Sequence, residues 1–353
     1  MVNPAFWQGR RIFITGHTGF KGSWLSLWLQ QLGAEVTGYA LAPNTTPSLF
    51  DVADVATGMQ SIIGDIRDPH SLQTALNANR PEIVLHLAAQ ALVGEGYRDP
   101  LGTFATNVQG TANLLEAVRQ TPSVRAVVVV TSDKCYDNKE WPWPYRESEA
   151  LGGHDPYSSS KACAELVTAA CRKSFLAESG VAVASARAGN VFGGGDWSPN
   201  RLIPDLLAAF SAGHPGQLRR PNAVRPWQHV LEPLAGYLTL AEHLTEDASF
   251  ATAWNFGPYE TDCLTTGEIA HRLADHWGSD ASWQAEVGDF PHEAGLLRLD
   301  ASLARQQLGW RPRWTLDKAL SKTISWHKSW LTAANMRETT LLQITEFNLY
   351  ADT

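Results

Sequence analysis

Residues 16–22 read Gly16-His17-Thr18-Gly19-Phe20-Lys21-Gly22, between the apolar run 11–15 and a helical pattern over 23–32 that Gly33 closes. A strand that passes through three regularly spaced glycines into a helix commits the chain to a β-α-β start. Glycine lets the backbone approach a pyrophosphate closely, and the helix N-terminus supplies N–H donors and positive potential. Gly16, Thr18, Gly19, Phe20, Lys21 and Gly22 are therefore the expected pyrophosphate contacts of a dinucleotide.

The rest of the first half repeats this alternation. Strands are expected at 35–39, 61–63, 83–87, 126–131 and 182–186, and helices at 69–79, 104–119 and 156–179. The run 83–87 is apolar except for His86, and 126–130 is wholly aliphatic. Buried runs without polar alternation, separated by helices, indicate a parallel sheet covered on both faces. The expected class is α/β, a Rossmann-type doubly wound sheet. Beyond residue 187 the chain turns Gly-, Pro- and Arg-rich and then helical. We read 1–187 as the dinucleotide-binding domain, with 228–255 returning to it through a helix at 230–243 and a strand at 253–256. Segments 188–227 and 256–353 form a smaller substrate lobe. The length, 353 residues, accommodates both units.

Composition removes several function classes. Lys+Arg 28 against Asp+Glu 36 leaves a net charge of −8, which disfavours nucleic acid or an anionic membrane as partner. Hydrophobic residues at 44% and charged residues at 18% describe a globular chain. No apolar run approaches the ~20 residues of a membrane span, and 1–10 lacks the apolar core of a signal peptide. Cys135, Cys163, Cys171 and Cys263 form no C-x-x-C pair, so neither a zinc site nor any other metal is expected. Reduced thiols fit a cytoplasmic location. Six of the 14 Trp residues follow residue 276 and are expected to pack.

The second strand ends Tyr39-Ala40-Leu41-Ala42. It offers no carboxylate for an adenosine ribose and no Arg for a 2′-phosphate, which leaves NAD preferred over NADP. Asp65, with Ile66, follows the third strand and either meets the adenine or caps the turn before Pro69. Tyr157 and Lys161 lie four apart at a helix start and so share a face. An ammonium beside a phenol favours the phenolate. Ser132 precedes Tyr157 by 25 residues, after the fifth strand.

Taken together, Gly16–Gly22, His86-Leu87-Ala88-Ala89-Gln90, Thr131-Ser132-Asp133-Lys134 and Tyr157–Lys161 resemble the extended short-chain dehydrogenase/reductase family, in its order and over nearly the whole chain. The resemblance implies an NAD(P)-binding Rossmann domain with a nucleotide-sugar lobe. It makes Ser132 the partner of the substrate's O4, Tyr157 the acid/base, and Lys161 a contact of the nicotinamide ribose. Leu87, Ala88, Ala89 and Gln90 line the cofactor, while His86 alone reads as a core histidine. Sugar 4,6-dehydratases of the family carry Asp-Glu after the serine, and here Lys134 replaces the Glu. That departure resembles the branch acting on CDP-glucose, as do segments 132–136, 194–197, 225–233 and 290–294. The implied chemistry is C4 oxidation by Tyr157 and NAD, removal of the C5 proton by a neutral Lys134, and protonation of the leaving C6 hydroxyl by Asp133. Hydride return to C6 leaves the cofactor as it began. Lys134 then needs a lowered pKa and Asp133 a raised one.

A substrate diphosphate calls for Arg, whose guanidinium fork binds two phosphate oxygens. Arg201, Arg219 and Arg225 are the candidates, with Asn190 and Glu293 as further substrate contacts. Alternatives on the same scaffold are a dTDP-glucose dehydratase and a nucleotide-sugar 4-epimerase. A non-catalytic NAD-binding scaffold is a third. The resemblance also implies a homodimer, paired through the helices 104–119 and 156–179. Leu114, Leu115, Val118, Ala164, Val167 and Cys171 face either a partner or their own sheet.

Overall fold

The structure is a computed structural model that describes residues 2–278, 280–288 and 294–350. Seven strands make one parallel sheet: β1 (Arg11–Thr15), β2 (Glu35–Ala40), β3 (Gln60–Ile63), β4 (Ile83–His86), β5 (Ala126–Val130), β6 (Ala182–Ala188) and β10 (Ala253–Phe256). Their order is β10-β6-β5-β4-β1-β2-β3. The register pairs Thr15 with Tyr39 on one side of β1 and with His86 on the other. The order reverses at β1, so a crevice opens at the strand ends between β1 and β4, where ligands of such sheets bind.

Alternate residues of each strand enter opposite cores. Ile12, Ile14, Val128 and Val130 face the helices Phe20–Gln31 and Leu231–Glu246. Phe13, Val84, Val127 and Val129 face Pro69–Asn79 and Gly110–Arg119. Both faces being covered explains why the strands carry no polar alternation.

The helix expected from 104 already begins with Pro100–Phe104, where Asp99 accepts the Gly102 N–H and Pro100 occupies the first turn. It continues through one wider turn, Ala105–Gln109, into Gly110–Arg119. The helix expected over 156–179 runs Pro156–Cys171 and ends in a similar wide turn, Arg172–Leu176. Leu114, Leu115, Val118 and Ala164 are buried within their own subunit, and Val167 and Cys171 are partly buried against the same core. The subunit's own core therefore takes Leu114, Leu115, Val118 and Ala164.

The chain leaves the sheet at β6 and enters the smaller lobe through Gly189 and β7 (Asn190–Phe192). There β9 (Val224–His229) lies parallel to β7 and antiparallel to β11 (Cys263–Thr265), while β8 (Gly216–Leu218) pairs with β12 (Trp283–Ala285). A separate core of Phe192, Leu206, Phe210, Trp227, Leu273 and Leu320 holds this lobe. The late tryptophans pack: Trp310, Trp314 and Trp326 are buried, and Trp197 meets Trp326 and Trp330 edge-on at 5.7 and 5.0 Å. Among the described residues no helix is long and apolar enough to cross a membrane. No group of three His, Cys, Asp or Glu among them could hold a metal.

Candidate active site

The glycine turn is built for close approach. Gly16 has φ +81°, and a Cβ on it would stand 2.7 Å from the Ala88 nitrogen. A Cβ on Gly22 would stand 2.0 Å from the Gly16 carbonyl oxygen. These two glycines press turn, helix and the loop 87–90 together. Gly19 meets nothing nearer than 3.5 Å, which leaves the mouth of the turn open. Thr18 donates its hydroxyl to the Leu41 carbonyl at 2.8 Å and fastens the turn to the end of β2. The N–H groups of Phe20, Lys21 and Gly22 begin the helix Phe20–Gln31, where no intrahelical acceptor exists. An open mouth with free donors fits a pyrophosphate.

Past β3, Asp65 is held by Arg67 through several bonds, the Nε donating at 2.8 and 3.0 Å. The cap before Pro69 is Asp68, which accepts the His70 and Ser71 N–H groups. Ile66 is buried against Gly110. In the loop after β4, the Ala88 N–H donates to Thr15 Oγ1 at 3.2 Å. Gln90 exchanges two backbone bonds with the Asn107 side chain, at 2.8 and 2.9 Å. His86 is a core histidine: its ring meets Thr15 and Thr111, and burial takes it down to about 3.

Ser132, Asp133, Lys134, Tyr157 and Lys161 converge at the carboxyl end of β5. Ser132 caps a short turn by accepting the Lys134 N–H, and donates its hydroxyl to Asp133 Oδ1 at 3.0 Å. It lies near enough to Tyr157 to favour the phenolate of that residue. Asp155 caps the helix Pro156–Cys171, accepting the Ser158 N–H at 3.0 Å, and so fixes where Tyr157 and Lys161 enter the site. Lys161 donates to the Val130 carbonyl at 3.3 Å.

Burial dominates the electrostatics. It pushes Tyr157 up to about 12, against the Ser132 hydrogen bond and the Arg201 charge. Arg201 is a cation that acts on this phenol. Burial takes Lys161 down to about 8, opposed by Glu165 and Cys135. Asp133 is buried and raised above the usual carboxylate range, although Lys134, the Ser132 bond, Arg225 and Lys21 all pull the other way. Its Oδ2 atom is buried, with no hydrogen-bond partner among the described residues.

The substrate candidates scatter more. Arg201 reaches toward Tyr157 but is tied to Asp196 at 3.2 Å. Arg225 is buried, donating to the carbonyls of Val224 and Ala294, with its charge acting on Asp133. Arg219 lies farther out on the Asn200 carbonyl. Asn190 opens β7, beside Gly189, whose added Cβ would stand 3.1 Å from Asp133 Oδ2. Glu293, with most of the segment 290–294, lies outside the described residues.

Two further groups at the site were not singled out by their sequence context. Asp196 was legible only as part of a glycine-rich segment. Glu165 lies one turn beyond Lys161 and accepts bonds from Thr131, Ser185 and Arg187 at 2.5, 2.6 and 2.7 Å. Its spacing of four from Lys161 was the available signal.

A CDP-glucose 4,6-dehydratase of Salmonella typhimurium is 52% identical over 342 residues, covering 95% of each chain. The solved dTDP-glucose 4,6-dehydratase of Streptomyces venezuelae with NAD and TYD bound is 26% identical. It superposes with a TM-score of 0.76 over 90% of this chain and 97% of that one. A UDP-glucose 4-epimerase of Thermotoga maritima shares the fold, with a TM-score of 0.79 at 22% identity over 91% of this chain and 99% of its own. The family model of GDP-mannose 4,6 dehydratase matches residues 13–323. With its glycine turn, Ser132–Lys134 and Tyr157–Lys161 gathered at one crevice, the chain belongs to the GDP-mannose 4,6 dehydratase family.

Proposed function

We propose that this protein is a lyase that converts CDP-glucose to CDP-4-keto-6-deoxyglucose and water. The observation that carries the dehydration is Asp133. Its Oδ2, buried and without a hydrogen-bond partner among the described residues, belongs to a carboxyl shifted toward its neutral form, whose Oδ1 accepts from Ser132 and whose charge acts on Tyr157. A 4-epimerase has no leaving hydroxyl to protonate and needs no such acid. The 52% identity to the Salmonella enzyme supports cytosine as the base.

Gly16, Thr18, Gly19, Phe20, Lys21 and Gly22, with Leu87, Ala88, Ala89 and Gln90 lining the site, would hold NAD, which would supply the hydride acceptor for C4 and the hydride donor for C6. Tyr157 takes the C4 hydroxyl proton, with Ser132 orienting that oxygen and Lys161 on the nicotinamide ribose. The ketone acidifies the C5 proton, which Lys134 removes. Asp133 protonates the departing C6 hydroxyl, and C5 is reprotonated afterwards. Residues 188–227 and 256–353, with Asn190, Arg201, Arg219, Arg225 and Glu293, bind the nucleotide sugar, while 1–187 and 228–255 bind NAD. Asp65 and Ile66 lie toward the adenine.

The protein is further proposed to act as a homodimer. Leu101, Phe104, Leu166 and Phe175 are exposed apolar residues on the two helical segments that pack together beside the sheet. Four free cysteines support a reducing, cytoplasmic setting.

The test is to incubate the protein with NAD and, separately, CDP-, dTDP-, UDP- and GDP-glucose, and weigh the products. Loss of one water from CDP-glucose is the expected result. An unchanged mass with galactose after hydrolysis would assign an epimerase instead.

A further inference from the structure

The proposed function, on which the role of Glu165 rests, needs Ser132 and Tyr157 to meet one substrate oxygen, yet the two come from different elements. Ser132 follows β5, while Tyr157 and Lys161 lie on the helix Pro156–Cys171. Misplacing a reacting group by about 1 Å can cost about 100-fold in rate, so helix and strand must be held in register. Two bonds do this at consecutive strand residues. Lys161 donates to the Val130 carbonyl at 3.3 Å, and Thr131 donates its hydroxyl to Glu165 Oε1 at 2.5 Å. Lys161 and Glu165 stand about one helical turn apart, so the two bonds together oppose both sliding and rotation of the helix. Thr131 is the residue immediately before Ser132.

A buried carboxylate is costly unless it is both paired and hydrogen-bonded. Glu165 meets both conditions. Its Oε2 accepts from Ser185 Oγ at 2.6 Å and from Arg187 Nη2 at 2.7 Å, two residues on the same face of β6. Thr131, Glu165, Ser185 and Arg187 are all buried. Burial alone would raise the Glu165 carboxyl, but Arg187 and the two hydroxyls hold it below the usual carboxylate range. Arg187 is fixed in turn. Its Nη1 donates to Tyr136 Oη at 2.8 Å and to the Glu147 carbonyl at 3.1 Å. Tyr136, two residues beyond Lys134, donates to Asn255 Oδ1 on β10 at 2.7 Å. The anion is thus anchored in β6 and β10 and reaches from there to the end of β5. An apolar contact would also hold helix to sheet, but it sets no direction, whereas a hydrogen bond does. We propose that Glu165 is a positioning residue: held by Arg187, it fixes Thr131, and with it Ser132, against the helix that carries Tyr157 and Lys161.

The test alters the strand partner, which leaves both buried charges in place. Thr131→Val keeps the shape and removes the hydroxyl, while Thr131→Ser keeps the hydroxyl and removes the methyl group. Turnover of CDP-glucose at saturating NAD is measured per folded molecule for the full-length protein, with a thermal melt of each variant. Thr131→Val is expected to lower kcat about tenfold or more and to keep KM within about threefold. Thr131→Ser is expected to keep kcat within about threefold, whatever its melting temperature. A bond that only holds the fold together would leave kcat per folded molecule unchanged in both. Glu165→Gln, which strips the anion from Arg187, should melt lower and lose at least as much kcat as Thr131→Val. Unchanged kcat in Thr131→Val, or an equal loss in Thr131→Ser, overturns the positioning role while the proposed function stands. Wild-type protein that forms no keto-deoxy product from CDP-glucose overturns the proposed function, and the role of Glu165 with it.

Discussion

Among single residues, Asp133 shows most directly how a fold prepares a group for chemistry. Its side chain lies on a three-residue turn, with one oxygen on Ser132 and the other without a partner among the described residues. Removing it from water makes the anion costly, which raises its pKa. The folded state therefore holds the proton more tightly than the unfolded state. Any stability from this group is complete below its ordinary value of 3.8 and is lost as pH rises through the raised value. Asp133→Asn mimics the neutral acid. Its melting temperature should gain on the wild type as pH rises from about 4.5 to about 8. The same variant should form the keto-deoxy product at least about 100-fold more slowly, the usual loss when a general acid is removed. A melting difference that shrinks with pH would mean that the carboxyl is ionised in the folded protein. Asp65 was legible only in part: the sequence placed it after β3, but its multiple bonds to Arg67 depend on a side-chain conformation that composition does not reveal.

At the scale of elements, the helix Pro156–Cys171 connects local sequence to the site. Asp155 caps it and Pro156 takes the first turn, where a missing N–H costs nothing. Tyr157, Lys161 and Glu165 then follow at intervals of four and form one buried stripe. Asp155→Ala should cost about 1 kcal/mol of stability. It should also lower turnover per folded molecule, because the first helical turn carries Tyr157. Urea unfolding, with activity normalised to folded protein, checks both, and unchanged turnover would separate the cap from the position of Tyr157. The Tyr157–Lys161 spacing was legible because four residues nearly complete a helical turn. The partners of Glu165 were not, since Thr131 and Ser185 lie on neighbouring strands and come together only when the sheet forms.

For the whole molecule, the strand order decides where ligands go and which surfaces remain. The exposures of Leu101 at 81% and Leu166 at 58% are high for leucines on helices that already pack against a sheet. Leu166→Glu is expected to convert the proposed dimer to monomer at micromolar concentration, read by light scattering, without a lower melting temperature for the monomer fold. A wild-type protein that is already monomeric at that concentration would exclude the dimer.

The sequence by itself determined the parallel α/β class, the glycine turn and the spacing of Ser132, Tyr157 and Lys161, because backbone periodicity and glycine's conformational freedom act over a few residues. Tertiary structure alone decided that Leu114, Leu115 and Val118 serve their own core and that Arg201 is tied to Asp196. It alone enclosed Asp133 among charges from distant segments. Burial and long-range charge depend on which elements become neighbours, and that is settled only when the sheet and the lobe have assembled.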